Sequence, residues 1–406
     1  MNIEFNYEQT CLVSKQELTK ILSELKPEID RLKQAPYAFM SMPYDSVGQK
    51  YIAQIVAEKK ALNPTLFLLI GIGGSNLGTL AVHEALQGIY YNQKEPVLKF
   101  YCADTVDAQR TSDLLLIVEQ ELKKNNTIII AIVTKSGTTT ETVINAALFF
   151  DLLKKYKPDT YTQSIVIITD NNSPLWHLDK QENFTVLEIP KTVGGRYSVL
   201  SAVGLFPLGL LGVDVQKLCQ GAQNSTISEH AALSAVILFA HYSAGKNIHD
   251  TFLFGPDLAS LGAWARQLMG ESLGKSGKGM TPTVSLGTVD LHSVVQLYLG
   301  GARDKVTTFI TRATQESLVI PDTIFGSTGL SIGAVQAAIF KGVCAAYAHE
   351  QRPFVTIDLG IINPEVLGQF LYFKMLETVY LAYLMKVDPF DQPQVELYKQ
   401  ETRKFL

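Results

Sequence analysis

Short apolar runs punctuate this chain, several ending in glycine or hydroxyl residues, and stretches of helical periodicity separate them. Thr65–Ile70 (TLFLLI), Leu98–Cys102, Thr127–Val133 (TIIIAIV) and Ser164–Thr169 (SIVIIT) form a first set, with helices predicted over Leu77–Gln87 and Thr140–Lys155. A strand that is apolar on nearly every residue is buried on both faces, as in a parallel sheet covered by helices on either side. The pattern then repeats. Ala231–Gly245 predicts a buried helix, Thr251–Phe254, Val306–Thr311 and Phe354–Ile357 predict strands, and Ser331–Ala348 predicts the helix before the last of them. Pro364–Lys386 predicts a long helix with Asn363 as its N-cap and Pro364 at its first position. Near the start, Val13–Lys33 has helical spacing that Pro27 is expected to interrupt. Two α/β sandwich domains fit this layout. The expected boundaries are an N-terminal helical segment at 1–50, domains at 51–198 and 199–375, and a C-terminal helix and tail at 376–406.

Composition narrows the partners. The chain has 406 residues, enough at roughly 100–200 per domain for two or three domains. With 47 % apolar and 18 % charged residues it can build large cores. A net charge of −4 leaves no basic excess for a polyanion, so nucleic acid is a poor partner and only a small anion needing a local field remains open. The four cysteines, Cys11, Cys102, Cys219 and Cys344, are scattered without a CxxC pair, which points to reduced structural thiols and not to zinc or a disulfide framework. No stretch has the length of a membrane span and the N-terminus does not read as a signal peptide, so a soluble, cytoplasmic protein is expected.

Two turns carry the candidate chemistry. Gly71-Ile72-Gly73-Gly74-Ser75-Asn76-Leu77-Gly78 follows a predicted strand and opens a helix, where free amides and a partial positive charge suit phosphate. It departs from the dinucleotide pattern G-x-G-x-x-G at Asn76; the alternative is a plain tight turn. The second turn, Thr134-Lys135-Ser136-Gly137-Thr138-Thr139-Thr140-Glu141-Thr142, puts six hydroxyls and one ammonium into nine residues. One or two hydroxyls would satisfy an N-cap, whereas this many beside a lysine resemble an anion cradle. Both turns at neighbouring strand ends could hold a single phosphate. By contrast, Gly270-Glu271-Ser272-Leu273-Gly274-Lys275-Ser276 only imitates a nucleotide-triphosphate loop: the spacing is one residue short and Leu261–Leu268 ahead of it is helical.

Six motifs in order make the chain similar to the phosphoglucose isomerase family from about 71 to 399. They are GIGGSNLG at 71–78, TKSGTTTET at 134–142, VGGRYSVLSAVG at 193–204, QLMGESLGK at 267–275, the histidine of GTVDLHS at 287–293, and FDQPQVELYK at 390–399. The resemblance is to the short bacterial form, although Gln394 stands where the family's last motif usually carries glycine. It implies two three-layer αβα sugar-isomerase (SIS) domains on mainly parallel sheets, a homodimer, and no metal or organic cofactor. It also implies that a sugar phosphate is interconverted between aldose and ketose, glucose 6-phosphate and fructose 6-phosphate.

By that resemblance Gly74, Ser75, Thr134, Lys135, Ser136 and Thr139 hold the phosphate, and Glu271 moves a proton between C2 and C1 through an enediol. Arg196 matches the cation that steadies the enediolate, and His292 and Lys399 match the pair that opens the sugar ring, the histidine coming from the neighbouring subunit. Gln267 and Gln392 match polar contacts to substrate, and Gln267 shares a helix face with Glu271. The remaining histidines, including His83, His177 and His241, read as structural. Two other readings stay open: a catalytically silent SIS-domain sensor of sugar phosphate, and an isomerase that also accepts mannose 6-phosphate.

Overall fold

In the computed structural model, which describes residues 3–178, 182–313, 318–321, 329–402 and 404–405, the apolar runs form two five-stranded sheets. The chain divides into a continuous unit, Pro36–Gln223, and a discontinuous unit made of Met1–Ala35 with Asn224–Leu406. These limits depart from the boundaries expected at 50/51, 198/199 and 375/376.

Strand β1 (Glu4–Asn6) and helix α1 (Lys15–Gln34) come first. Ser14 caps α1, its Oγ accepting from Glu17 N at 3.2 Å, and Leu18, Ile21, Leu25, Glu28 and Leu32 form the buried face. The interruption expected at Pro27 does not occur. Pro27 and Ser23, whose carbonyl loses its usual donor, both lie on the exposed face, where water can take the place of the missing hydrogen bond.

The continuous unit runs α2 (Ala38–Ser41), α3 (Ser46–Lys60), β2 (Leu66–Ile70), α4 (Leu77–Gln87), β3 (Lys99–Ala103), α5 (Ala108–Lys123), β4 (Ile128–Val133), α6 (Thr140–Tyr156), β5 (Ile165–Thr169), β6 (Thr185–Glu188), α7 (Ala202–Leu210) and α8 (Val215–Ala222). Its strands are all parallel in the order β3-β2-β4-β5-β6. Every residue of β2, β4 and β5 is buried, as unalternating apolar runs require. Leu66, Leu68 and Ile70 share one face with α5 and α6 residues such as Val118 and Phe149. On the other face Phe67 stacks on Phe100, and Phe100 meets His83 of α4. Helix α7 buries all nine of its residues, packing on α3 and α4, which is why 199–223 belong with this sheet.

The discontinuous unit continues with α9 (Ile227–Ser243), β7 (Ile248–Phe254), α10 (Ala259–Leu273), β8 (Thr281–Gly287), α11 (Val295–Gly300), β9 (Lys305–Ala313), α12 (Ile332–His349), β10 (Phe354–Ile361), α13 (Pro364–Met385) and α14 (Pro393–Thr402). The sheet order is β1-β10-β9-β7-β8, parallel except for β1, which pairs antiparallel with β10 through Phe5↔Ile357. That pairing brings the first residues of the chain here. One face carries Phe252, Phe254, Phe309, Tyr347 and Phe354, large side chains that each contribute roughly 1.5–3 kcal/mol on burial. On the other face α9, α10 and α1 surround α13, and α13 starts as its sequence predicts, with Asn363 Oδ1 accepting from Val366 N at 3.0 Å.

All four cysteines are free thiols. Burial pushes Cys102 and Cys219 up to about 12 and Cys344 to about 11, so none of these three is primed as a nucleophile. His241 is structural, its Nε2 lying 2.7 Å from Cys11 O. His83 is also a core residue, packed between Tyr91 and Phe100, and burial lowers its imidazole to about 4. Among the described residues no helix is long and apolar enough to cross a membrane.

Candidate active site

In the continuous unit, both candidate turns leave neighbouring strands. The chain goes from β2 outward to β3 and then returns to pair β4 against the other side of β2, with Ile70 opposite Ile132. Open α/β sheets bind ligands at such a reversal, outside the carboxyl ends of the strands. The first turn closes through Gly73 in the left-handed region, φ +62°. The N-cap of α4, Asn76, does not cap: its Nδ2 donates to Asp104 Oδ2 at 3.2 Å. Thr139, the N-cap of α6, likewise makes no capping bond, and its hydroxyl lies 3.0 Å from Thr134 Oγ1. Two helix N-termini without side-chain caps therefore stand at adjacent strand ends, each with first-turn amides and a positive dipole end suited to an anion.

The second turn is held from beneath. Thr134 is buried, and Thr169 Oγ1 donates to its carbonyl at 2.7 Å. Ser136 is exposed and accepts from Thr138 N at 3.2 Å. Lys135 donates to the carbonyls of Lys191, at 2.6 Å, and Val193, at 3.0 Å. Burial lowers its ammonium pKa, against the attraction of Asp170. In this state Lys135 straps the second turn to the loop ahead of Arg196.

Arg196 is itself buried, on a short 3-10 helix, Gly195–Tyr197. The guanidinium lies 5.6 Å from the Tyr197 ring centre, and Tyr197 packs on Phe39. Gly74 touches this helix backbone to backbone: a Cβ there would sit 2.2 Å from Gly195 C and 2.6 Å from Arg196 N. Gly74, Ser75, Thr134, Lys135, Ser136, Thr139 and Arg196 thus fall on three adjoining loops of one unit. A cavity of about 570 Å³ between α3, β6 and α7 is lined by none of them.

The remaining residues lie in the discontinuous unit and do not all meet. Gln267 and Glu271 share one face of α10 as their spacing predicts, Gln267 Nε2 donating to Glu271 Oε1 at 3.0 Å, while Trp264 and Leu268 face the core. Gly270 lies against Pro282, so Glu271 sits by the start of β8. Gln392 and Lys399 follow a segment tied to the turn after Glu271, where Lys278 Nζ donates to Met385 O at 2.9 Å and Lys275 pairs with Asp391 at 2.6 Å. Lys399 itself pairs with Glu396 at 2.8 Å.

His292 follows the other end of β8, exposed on a short 3-10 helix, Val289–His292. From Pro282 to Gly287 the strand advances five residues, about 17 Å at roughly 3.3 Å each. Glu271 and His292 of one chain therefore stand at opposite ends of the same strand. The loop that carries His292 is fixed by Asp290, whose carboxylate accepts from Leu286 N and Ser293 Oγ, each at 2.7 Å. Sequence reasoning missed Asp290, Lys278 and Asp391, because acidic and lysine residues in loops carry no periodic signal. The stretch 270–276 is the end of α10 and a tight turn, not a nucleotide loop. Among the described residues no group of three or more His, Cys, Asp or Glu side chains could hold a metal ion.

The family described as phosphoglucose isomerase matches residues 57–311. A glucose-6-phosphate isomerase from Rubrobacter xylanophilus is 32 % identical over 406 aligned residues, covering 95 % of this chain and 93 % of that protein. A hypothetical protein from Thermus thermophilus superposes with a TM-score of 0.87 at 28 % identity, covering 99 % of both chains. A glucose-6-phosphate isomerase from Chlamydia trachomatis has the same fold, with a TM-score of 0.84 at 20 % identity over 100 % of this chain and 88 % of that one.

Proposed function

Because the chain belongs to the phosphoglucose isomerase family, we propose that it catalyses the reversible isomerisation of glucose 6-phosphate to fructose 6-phosphate. One observation carries the reading beyond family membership. The turns after β2 and β4 bring two helix N-termini without side-chain caps, several hydroxyls and the backbone of Arg196's loop to one reversal of a parallel sheet. That is the chemistry a sugar phosphate's dianionic end requires.

The steps balance without a metal or an organic cofactor. Ring opening moves the proton of the C1 hydroxyl to His292 and delivers a proton to the ring oxygen, with Lys399 supplying the proton or the charge there. In the open-chain aldose, Glu271 takes the C2 proton as the C1 carbonyl becomes an enediolate. Arg196 holds the charge that develops, an interaction worth most if the cation is in place beforehand. The C2 hydroxyl proton passes to the C1 oxygen of the enediolate, and Glu271, now protonated, returns its proton to C1 as the C2 carbonyl forms, which leaves the ketose.

In this reading the enzyme is a homodimer, and each site uses His292 of the partner subunit. Support comes from the length of β8, which keeps one chain's Glu271 and His292 apart, and from α12. That helix, IGAVQAAIFKGVCAAYAH, is mostly apolar, yet Tyr347 is its only buried residue, and Ile332 and Ile339 are exposed. A helix with such a surface is suited to cover by another chain.

The test of the reaction is a coupled assay of purified protein with fructose 6-phosphate, following glucose 6-phosphate formation. Sustained turnover is expected; tight binding of the sugar phosphate without turnover would instead make the chain a sensor. The shared site has its own test. Glu271→Gln and His292→Ala are each expected to be inactive, and unfolding and refolding them together should restore activity. Hybrid dimers then hold one site with both groups intact. No recovery from a mixture shown to contain hybrids would mean that each chain uses its own histidine.

A further inference from the structure

The turn after Glu271 is built in a way that the isomerisation chemistry does not explain. Lys275 N donates to Lys278 O at 3.2 Å and Lys278 N to Lys275 O at 2.9 Å, so the two residues face each other as a hydrogen-bonded antiparallel pair. Ser276 (φ +53°) and Gly277 (φ +71°) between them are both left-handed, the requirement of a two-residue type I′ turn. Residues opposed in this way send their side chains to the same side. Two ammonium groups side by side repel, so the arrangement needs partners that compensate.

Those partners all lie on one short segment. Lys278 Nζ donates to Met385 O at 2.9 Å, the carbonyl at the negative end of the α13 dipole. Lys275, only 7 % exposed, donates to Asp388 O and pairs with the Asp391 carboxylate at 2.6 Å. Residues 385–391 link α13 to α14. They leave α13 through Lys386 in the left-handed region (φ +56°) and turn again where Phe390 N donates to Asp388 Oδ1 at 2.8 Å. Helix α14 buries none of its ten residues, so no apolar face of its own decides where it sits.

We propose that Lys275 and Lys278 are positioning residues: together they clamp the 385–391 link and thereby hold Gln392 and Lys399 at the Glu271 end of the discontinuous unit. The proposal rests on the reading of Lys399 as a ring-opening group. It also gives a role to the GKS sequence that only imitates a nucleotide loop: its lysine binds protein carbonyl and carboxylate oxygens.

The test uses the full-length enzyme as Lys275→Met, Lys278→Met, the double variant, Lys275→Arg and, for reference, Lys399→Ala. The double variant is expected to lose roughly tenfold to a hundredfold in kcat, the scale of a catalytic group displaced by about an ångström. KM and inhibition by sorbitol 6-phosphate, which lacks a carbonyl and cannot react, should weaken by only about a few-fold, through the contact of Gln392, and so by less than kcat falls, because the turns proposed to hold the phosphate are untouched. Anomerisation of the substrate should fall with isomerisation, and Lys275→Arg should recover part of both. Amides of 393–402 should exchange with deuterium faster while those of α10 keep their rate. Parental kcat with unchanged exchange over 393–402 overturns the clamp, as does equal loss of protection in α10, which would mark a merely structural turn. If Lys399→Ala keeps parental kcat, the role of Lys399 fails instead, and exchange over 393–402 alone then decides the clamp.

Discussion

Glu271→Gln is expected to lower kcat in both directions by about a thousandfold or more, within the range a general base supplies. Binding of sorbitol 6-phosphate should stay within about twofold, as for a group needed only in the transition state. The substitution keeps the shape of the side chain. An amide oxygen can still accept from Gln267 Nε2, now 3.0 Å from the carboxylate, and the core face of α10 with Trp264 and Leu268 is unchanged. Only basicity is lost. The residues proposed to hold the phosphate lie on other loops, so the ground state should bind as before. Ring opening, measured as anomerisation, should continue, because it is assigned to His292 and Lys399. Exchange of the C2 proton with solvent should vanish with isomerisation. Turnover within about tenfold of the parent would remove Glu271 from the role of base, since general-base catalysis is worth more than that.

Gly74→Ala should be the most damaging substitution in the phosphate turns. The added methyl would lie 2.2 Å from Gly195 C, 2.4 Å from Gly195 O and 2.6 Å from Arg196 N. Backbone atoms cannot swing aside as a flexible side chain can. Relief must come from moving the loop that carries Arg196 or the turn that carries Ser75. Overpacking of this kind destabilises by about 1–3 kcal/mol. Displacing a preorganised cation and an anion turn should lower kcat/KM by about a hundredfold or more. Gly195→Ala makes the internal comparison: its methyl would meet Gly74 Cα at 3.8 Å, an ordinary contact, so it should keep more activity and stability than Gly74→Ala. Steady-state kinetics and thermal unfolding of the two variants decide the matter. Equal behaviour, or a parental Gly74→Ala enzyme, would show that the close approach of the two loops does not matter.

Much of the fold could be read in advance wherever the signal was local. TLFLLI, TIIIAIV and SIVIIT are apolar at every or nearly every position, and a strand buried on both faces leaves no other option. The Asn363-Pro364 start of α13 was equally legible, because capping and the fixed φ of proline act over one turn. Pro27 misled for the same reason. The local rule is real, but the lost hydrogen bond falls on a solvated face, and tertiary packing of Leu25 and Leu32 carries the helix through. Among the site residues, the Gln267–Glu271 pair was visible through helical spacing. The strap from Lys135 to the carbonyls of Lys191 and Val193 was not, since it joins residues more than 50 apart.

The order of residues alone determined which segments are strand or helix, that two turns after apolar strands are suited to an anion, and which motifs resemble an isomerase. These are properties of short windows, set by side-chain periodicity and backbone freedom. Only the tertiary structure decided that 3–35 pack with the second sheet and 199–223 with the first. It alone paired β2 with β4, pressed Gly74 against Gly195, and set Glu271 and His292 at opposite ends of β8. Each of those outcomes depends on which distant surfaces close against one another, a choice made by burial summed over the whole chain and written in no single window.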